Sequence, residues 1–337
     1  MAGRYHRPLV FFYLKKPPLK GDRGQDFRRL PNSQDSLLDP VLDTLIRDIR
    51  ARHNLVKSLL EDEEAEPLPF IGKFTMNDRI DQIASSIMNT IEFNLDYFRR
   101  ERNFEEAFKY LRRQVEKVGI FVLLMGDLGS HHSKISVSVF RGFSIADEIA
   151  PFIVVNEHDA KSARSFTLLH EVVHLWLGTT GISGSSLENQ IEKYCNDVAG
   201  EILLPTNDLI SLESIRNLTV DEAVSKIGEF AQVRRISRSM VIYKLVRRGL
   251  VDERFWRSIE NKLGEDRPSE KTETKNDNSG GPNYYVVRRH RLGEALLNLV
   301  NRSINSGSLS PTKAAAILGI RPGNVRTLLE DFSPRGL

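Results

Sequence analysis

The stretch Phe166 to Gly178, FTLLHEVVHLWLG, constrains this chain more than any other, because it sets two histidines four residues apart within an apolar, helix-forming run. On an α-helix that step brings His170 and His174 to one face, their Cβ atoms about 5–6 Å apart and within reach of a single ion. Glu171, one position after the first histidine, then points beside such an ion, where a carboxylate can take a proton from a bound water without becoming a ligand. Two histidines on an amphipathic helix are often ordinary core-edge residues. The glutamate between them, in the H-E-x-x-H arrangement, favours a metal site.

A catalytic tetrahedral site wants a third protein ligand and one open position. The following segment, SLENQIEKYCNDVAGEILLP, has Leu187, Ile191, Tyr194, Val198, Ile202 and Leu203 at helical spacing and ends at Pro205. Glu188, Glu192 and Asn196 fall four apart on a neighbouring stripe that can face the first helix. Spacing alone allows Glu188, Glu192, Asp197 or Glu201 as the third ligand.

The two segments together resemble the ImmA/IrrE family of zinc metallopeptidases, whose second motif reads E-x-x-A-N-x-F-A before a leucine-rich turn ending in proline. Here Glu192, Asn196, Ala199 and Pro205 stand in that pattern, with Cys195 where the family often has alanine and Val198 where it often has phenylalanine. The likeness extends upstream through RGFSIADEIAPFIVVNEHDAKSARSF. It implies Glu192 as the third ligand beside His170 and His174, Glu171 as the general base, and one Zn²⁺, with Mn²⁺ or Fe²⁺ also compatible with two histidines and a carboxylate. It also implies a protein substrate, because family members inactivate helix-turn-helix repressors and so relieve repression in mobile-element, stress-response or toxin-antitoxin settings. In that family a repressor-like DNA-binding domain often precedes an arm like the one with which this sequence begins, so either a variant without that domain or a shortened product is expected.

Composition narrows the remaining classes. At 337 residues, 40% hydrophobic and 28% charged, the chain can bury a sizeable core as a globular protein. No apolar run approaches a membrane span, and MAGRYHRPLVFFYLKKPP is too polar for a secretory signal, so a cytoplasmic protein is expected. One cysteine, Cys195, excludes an internal disulfide, and its helix gives it a packing task. The net charge of +3 is only mildly basic.

Before the H-E-x-x-H run, an extended arm precedes a long helix over Asp35 to Leu60, then helices near Asp78 to Ile91 and Phe104 to Val118. IFVLLMG begins a strand, Ile135 to Phe140 alternates as a half-exposed strand, and Pro151 to Asn156 makes a third. The expected class is α+β, a zincin-like metallopeptidase core with a small sheet and an H-E-x-x-H helix, followed by helical, helix-turn-helix-like segments. His158, or His131 and His132, are candidates for a transition-state donor, and Arg141 for substrate binding or an ordinary ion pair.

Beyond Pro205, Thr219 and Glu222 form a capping-box start, and a second helix from Ser239 to Arg248 gives a helix-turn-helix outline. Arg234, Arg235, Arg238, Lys244, Arg247 and Arg248 can meet phosphates there or form the basic face of a packed hairpin. EDRPSEKTETKNDNSGGP reads as a flexible linker that lets the C-terminal piece move relative to the core. After it come a strand over Tyr284 to Arg291 and helices over Gly293 to Ile304, Ser310 to Gly319 and Pro322 to Leu329. The expected division is an arm and helix over 1–75, a zinc metallopeptidase core over 76–210, a helix-turn-helix-like segment over 211–263, a linker over 264–282 and a helical module over 283–337. The expected function is zinc-dependent cleavage of a repressor or antitoxin-like protein. The alternative is a non-catalytic regulator that binds DNA or a repressor through its helix-turn-helix-like segments.

Overall fold

The computed structural model describes residues 40–129, 133–179, 185–252, 254–259 and 283–330. The N-terminal arm, the linker over 264–282, His131 and His132 lie outside them, as does the side chain of Glu188. The chain is a mixed α/β protein, mostly helical, with a three-stranded sheet among the described residues.

The helices are α1 (Pro40–Asp62), α2 (Ile80–Thr90), α3 (Leu95–Arg100) and α4 (Phe104–Lys117). The strands β1 (Phe121–Leu124), β2 (Gly142–Ile145) and β3 (Phe152–Val155) follow. Then come α5 (Lys161–Leu177), α6 (Ser185–Leu203), a 3₁₀ stretch (Thr206–Asn217), α7 (Val220–Val233), α8 (Arg238–Arg247) and a short α9 at 254–259. The last helices are α10 (Tyr284–Leu292), α11 (Glu294–Asn305), α12 (Pro311–Leu318) and α13 (Val325–Glu330).

The strand order is β1-β3-β2, with β1 parallel and β2 antiparallel to β3. Period-two alternation sorts the residues of β1 and β3 onto two apolar faces. Val122, Leu124, Ile153 and Val155 join one core with α2, α4, α5, α6 and α7. Phe121, Leu123, Phe152 and Val154 join a second core with α1, α11, α12 and α13. A strand apolar on both faces must be covered on both, and this sheet is.

Two of the expected strands are not strands. Across Ile135 to Phe140, Ser136 Oγ accepts from Ser138 N at 3.3 Å, and Val139 N donates to Ser136 O at 2.9 Å. These local bonds offer the backbone a turn instead of a ladder. The strand that pairs with β3 is β2, a few residues on. Over Tyr284 to Arg291 the chain is helical: Asn283 Oδ1 accepts from Tyr285 N at 2.9 Å, and the buried Arg288 and Leu292 lie four apart on one face. Tertiary packing overrides the β-propensity of its tyrosines and valines.

The C-terminal helices are bound to the sheet by polar contacts as well as by the shared core. From α4, Arg112 donates to Val122 O in β1 and to His290 O at 2.5 Å. Its neighbour Glu116 accepts from Glu294 N at 3.0 Å. Arg291 pairs with Asp127 at 3.1 Å, and its Nε donates to Glu157 at 2.7 Å, on the loops leaving β1 and β3. The segment after the linker therefore covers the outer face of the sheet.

Candidate metal centre

α5 is apolar almost all round, and from Ser165 to Trp176 every residue is buried. Such a helix belongs in a core, where an unsatisfied polar group is costly. Its end is fixed by Gly178, which adopts a left-handed φ of +57° and closes the helix onto the carbonyls of His174 and Leu175. A Cβ there would lie 2.6 Å from Gly72 Cα, so the close crossing of the 70–74 segment also requires glycine. Phe70 in that segment stacks on Trp176 with ring centroids 4.4 Å apart. This packing holds Thr179 against the last turn, where its Oγ1 lies 3.2 Å from His174 Nδ1.

α6 lies alongside α5 and brings Glu192 and Asn196 to it, as their four-residue spacing anticipated. His170 Nε2 and His174 Nε2 are 3.1 Å apart. Glu192 Oε2 is 3.2 Å from the first and Glu192 Oε1 3.4 Å from the second. The histidines are 0% and 2% exposed. Each turns its other nitrogen outward: His170 Nδ1 lies 3.0 Å from Asn196 Oδ1, and His174 Nδ1 lies near Thr179 Oγ1 and 3.6 Å from Cys195 Sγ. An amide oxygen only accepts, so Asn196 fixes the proton of His170 on Nδ1 and leaves Nε2 with its lone pair facing the cluster.

These residues fit a cation. Four ligands around a tetrahedral zinc at about 2.0–2.1 Å stand about 3.3 Å from one another. The three donor atoms are already spaced at 3.1–3.4 Å, with one carboxylate to balance charge. The His170, His174 and Glu192 cluster can therefore hold a metal ion.

Glu171 is 1% exposed and accepts from Ser144 Oγ at 3.0 Å. Ser144 escaped the sequence reading, and so did the neighbouring Gly142; their signal was a strand, GFSI, whose alternate positions are not apolar. Of the other spacing-allowed ligands, Asp197 and Glu201 are engaged elsewhere. Asp197 accepts from Tyr243 at 2.7 Å and pairs with Arg247, while Glu201 pairs with Lys244 at 2.5 Å. Cys195 is fully buried, in keeping with a packing role.

His158 groups with Asp127 and Glu157 rather than with the histidines of α5. Burial lowers its imidazole below the ordinary 6.5. Arg141 pairs with Asp159 at 3.1 Å, the ordinary alternative foreseen for it. Asn156 is buried and ties down the loop before α5, its Nδ2 donating to Phe140 O at 3.0 Å and its Oδ1 accepting from His158 N at 2.9 Å.

Most of the basic residues around α8 have partners within the fold, although Arg238, Arg247 and Arg248 are exposed. Lys244 is 5% exposed and holds Glu201 and Leu204 O; Arg247 holds Asp197, and Arg248 holds Thr206. Arg234 lies over the Phe230 ring and pairs with Asp208, while Arg235 donates to Glu101 O.

No match was found among curated proteins or solved structures. A family model did match, over residues 116–246, a span running from the end of α4 through the sheet, α5, α6 and α7 to nearly the end of α8. That model is Peptidase_M78, described as the IrrE N-terminal-like domain, and the segment that carries the His170, His174 and Glu192 cluster is similar to it.

Proposed function

We propose that the chain is a zinc-dependent endopeptidase whose substrate is a helix-turn-helix repressor or antitoxin-like protein. One observation carries this reading: three metal-type donors from two helices converge beside a buried glutamate. In the proposal His170, His174 and Glu192 hold the ion, and Glu171 is the general base. A divalent cation held there supplies Lewis acidity, polarising a peptide carbonyl and making a water acidic at neutral pH. Glu171 takes the proton of the attacking water and passes it to the leaving amine as the peptide C–N bond breaks. Asn196 keeps His170 in the tautomer that the site needs, and Thr179 holds the orientation of His174. Burial of α5 excludes bulk water from Glu171, which strengthens each of these contacts.

The resemblance to ImmA/IrrE proteins supports a repressor as the substrate and zinc as the metal, and the polar N-terminal sequence supports a cytoplasmic setting. We also take 76–210 as the catalytic core, with the helix-turn-helix-like segment over 211–263 bracing it. The DNA-binding alternative is less well supported, because the cations around α8 mostly hold carboxylates and carbonyls within the fold. Among the described residues no helix is long and apolar enough to cross a membrane.

The test uses Glu171→Gln. That variant should keep its metal, lose about 10²- to 10⁴-fold in turnover, and capture a repressor that disappears only with metal-loaded wild-type protein. Equal binding of repressor by wild type and variant, with no cleavage and no need of metal, would favour a binding protein instead.

A further inference from the structure

β2 sits at the end of the strand order, beside α5. On its outer side Phe143 and Ile145 pack against the second core, like their neighbours in β3. On its inner side the pattern changes. β1 and β3 present Val122, Leu124, Ile153 and Val155 there, whereas β2 presents Gly142 and Ser144, paired in register with Val155 and Ile153. Both exceptions meet one residue. Ser144 Oγ donates to Glu171 Oε2 at 3.0 Å. A Cβ at Gly142 would lie 2.9 Å from Glu171 Oε1 and 2.8 Å from Thr167 Cγ2.

We propose that β2 is a cradle for the Glu171 carboxylate, in which Ser144 is a positioning residue and Gly142 supplies the room. A carboxylate 1% exposed has little water to orient it, and its carboxyl plane rotates easily about the last side-chain bond. The Ser144 hydroxyl fixes that rotation by holding Oε2, with the strength of a hydrogen bond to a charged acceptor. Apolar residues at these two positions would fill the inner face as well as valine does elsewhere in the sheet. They would remove both the donor and the space.

The catalytic half of this proposal rests on the reading of Glu171 as the general base; the contact itself does not. The first measurement is therefore thermal unfolding of the metal-free wild type, Ser144→Ala, Glu171→Ala and the double variant. Ser144→Ala should lower Tm by about 2–4 °C when Glu171 is present and by less than about 1 °C when it is not. The second measurement uses metal-loaded protein and the repressor captured by Glu171→Gln. Ser144→Ala should lower kcat by about 10- to 100-fold, with KM within about twofold and metal affinity unchanged; Ser144→Thr should recover most of the loss. Gly142→Ala should lower kcat with Ser144 intact. Equal Tm losses in the two backgrounds, or wild-type turnover by Ser144→Ala, would overturn the cradle. Metal-loaded wild type that cuts no protein would overturn the peptidase reading and the catalytic half with it, while the Tm comparison would still decide the contact.

Discussion

Asn196 shows how much a neighbouring residue decides at the site. Its amide oxygen, 3.0 Å from His170 Nδ1, sets the tautomer that leaves Nε2 open to an ion. Asn196→Ala removes that oxygen from a buried imidazole, and metal affinity should fall by about 10- to 100-fold in a chelator competition. Unchanged affinity would mean that Thr179 and Glu192 suffice to orient the pair. At this scale the sequence was most legible where chemistry depended on helical spacing. His170, Glu171 and His174 could be read because one helix fixes their separation, whereas spacing left Glu192 one of four carboxylates and only the resemblance singled it out. Ser144 could not, because its task depends on the register of an edge strand against a helix residue, Glu171, 27 positions away in sequence.

Among the elements, the long apolar or amphipathic helices were legible, since burial of one face dictates their period. α4 lies close to its expected bounds, and α7 begins with the expected capping box between Thr219 and Glu222. The short elements were not. Serine side chains turned Ile135 to Phe140 away from a ladder, and Tyr284 to Arg291 became a helix because Asn283 caps it and Arg288 and Leu292 seat one face. The α8 cations illustrate the same limit: a basic stripe looks alike in sequence whether it meets phosphates or carboxylates. Here Lys244 is buried against Glu201 and the carbonyl of Leu204, fastening α8 to α6. Lys244→Ala should therefore destabilise the protein by about 2 kcal/mol, read from denaturant midpoints, because it removes the charged partner of a partly buried carboxylate that Thr206 still holds. A loss well under 1 kcal/mol would show that this helix is held by its apolar face alone.

For the molecule as a whole, the sheet is a partition with a core on each side, and the helices after the linker close the outer one. The linker reading leaves them free to move, since a polar stretch in sequence says nothing about what its far end docks against. His290 sits in that docking interface. Burial, with the Arg112 guanidinium second, pushes its ring down to about 4, against an upward pull from Glu105 and a further downward one from Lys109 and Arg164. Below the ordinary 6.5 the unfolded chain takes up a proton that the folded chain refuses until about pH 4. The contribution of the neutral ring is therefore complete above pH 6.5 and is lost as pH falls from there to about 4. His53, also lowered by burial, acts in the same direction. His290→Gln should accordingly gain on wild type, in urea midpoint, as pH falls from 6.5 to 4; a constant offset would place the ring in solvent. All of this serves a site whose central claim is one ion held by two helices, and the most direct measurement is metal content after dialysis against limiting Zn²⁺. Wild type and Glu171→Gln should each retain about one equivalent, and His170→Ala, His174→Ala and Glu192→Ala should each retain far less. One full equivalent persisting in a His170→Ala/His174→Ala protein would contradict the account.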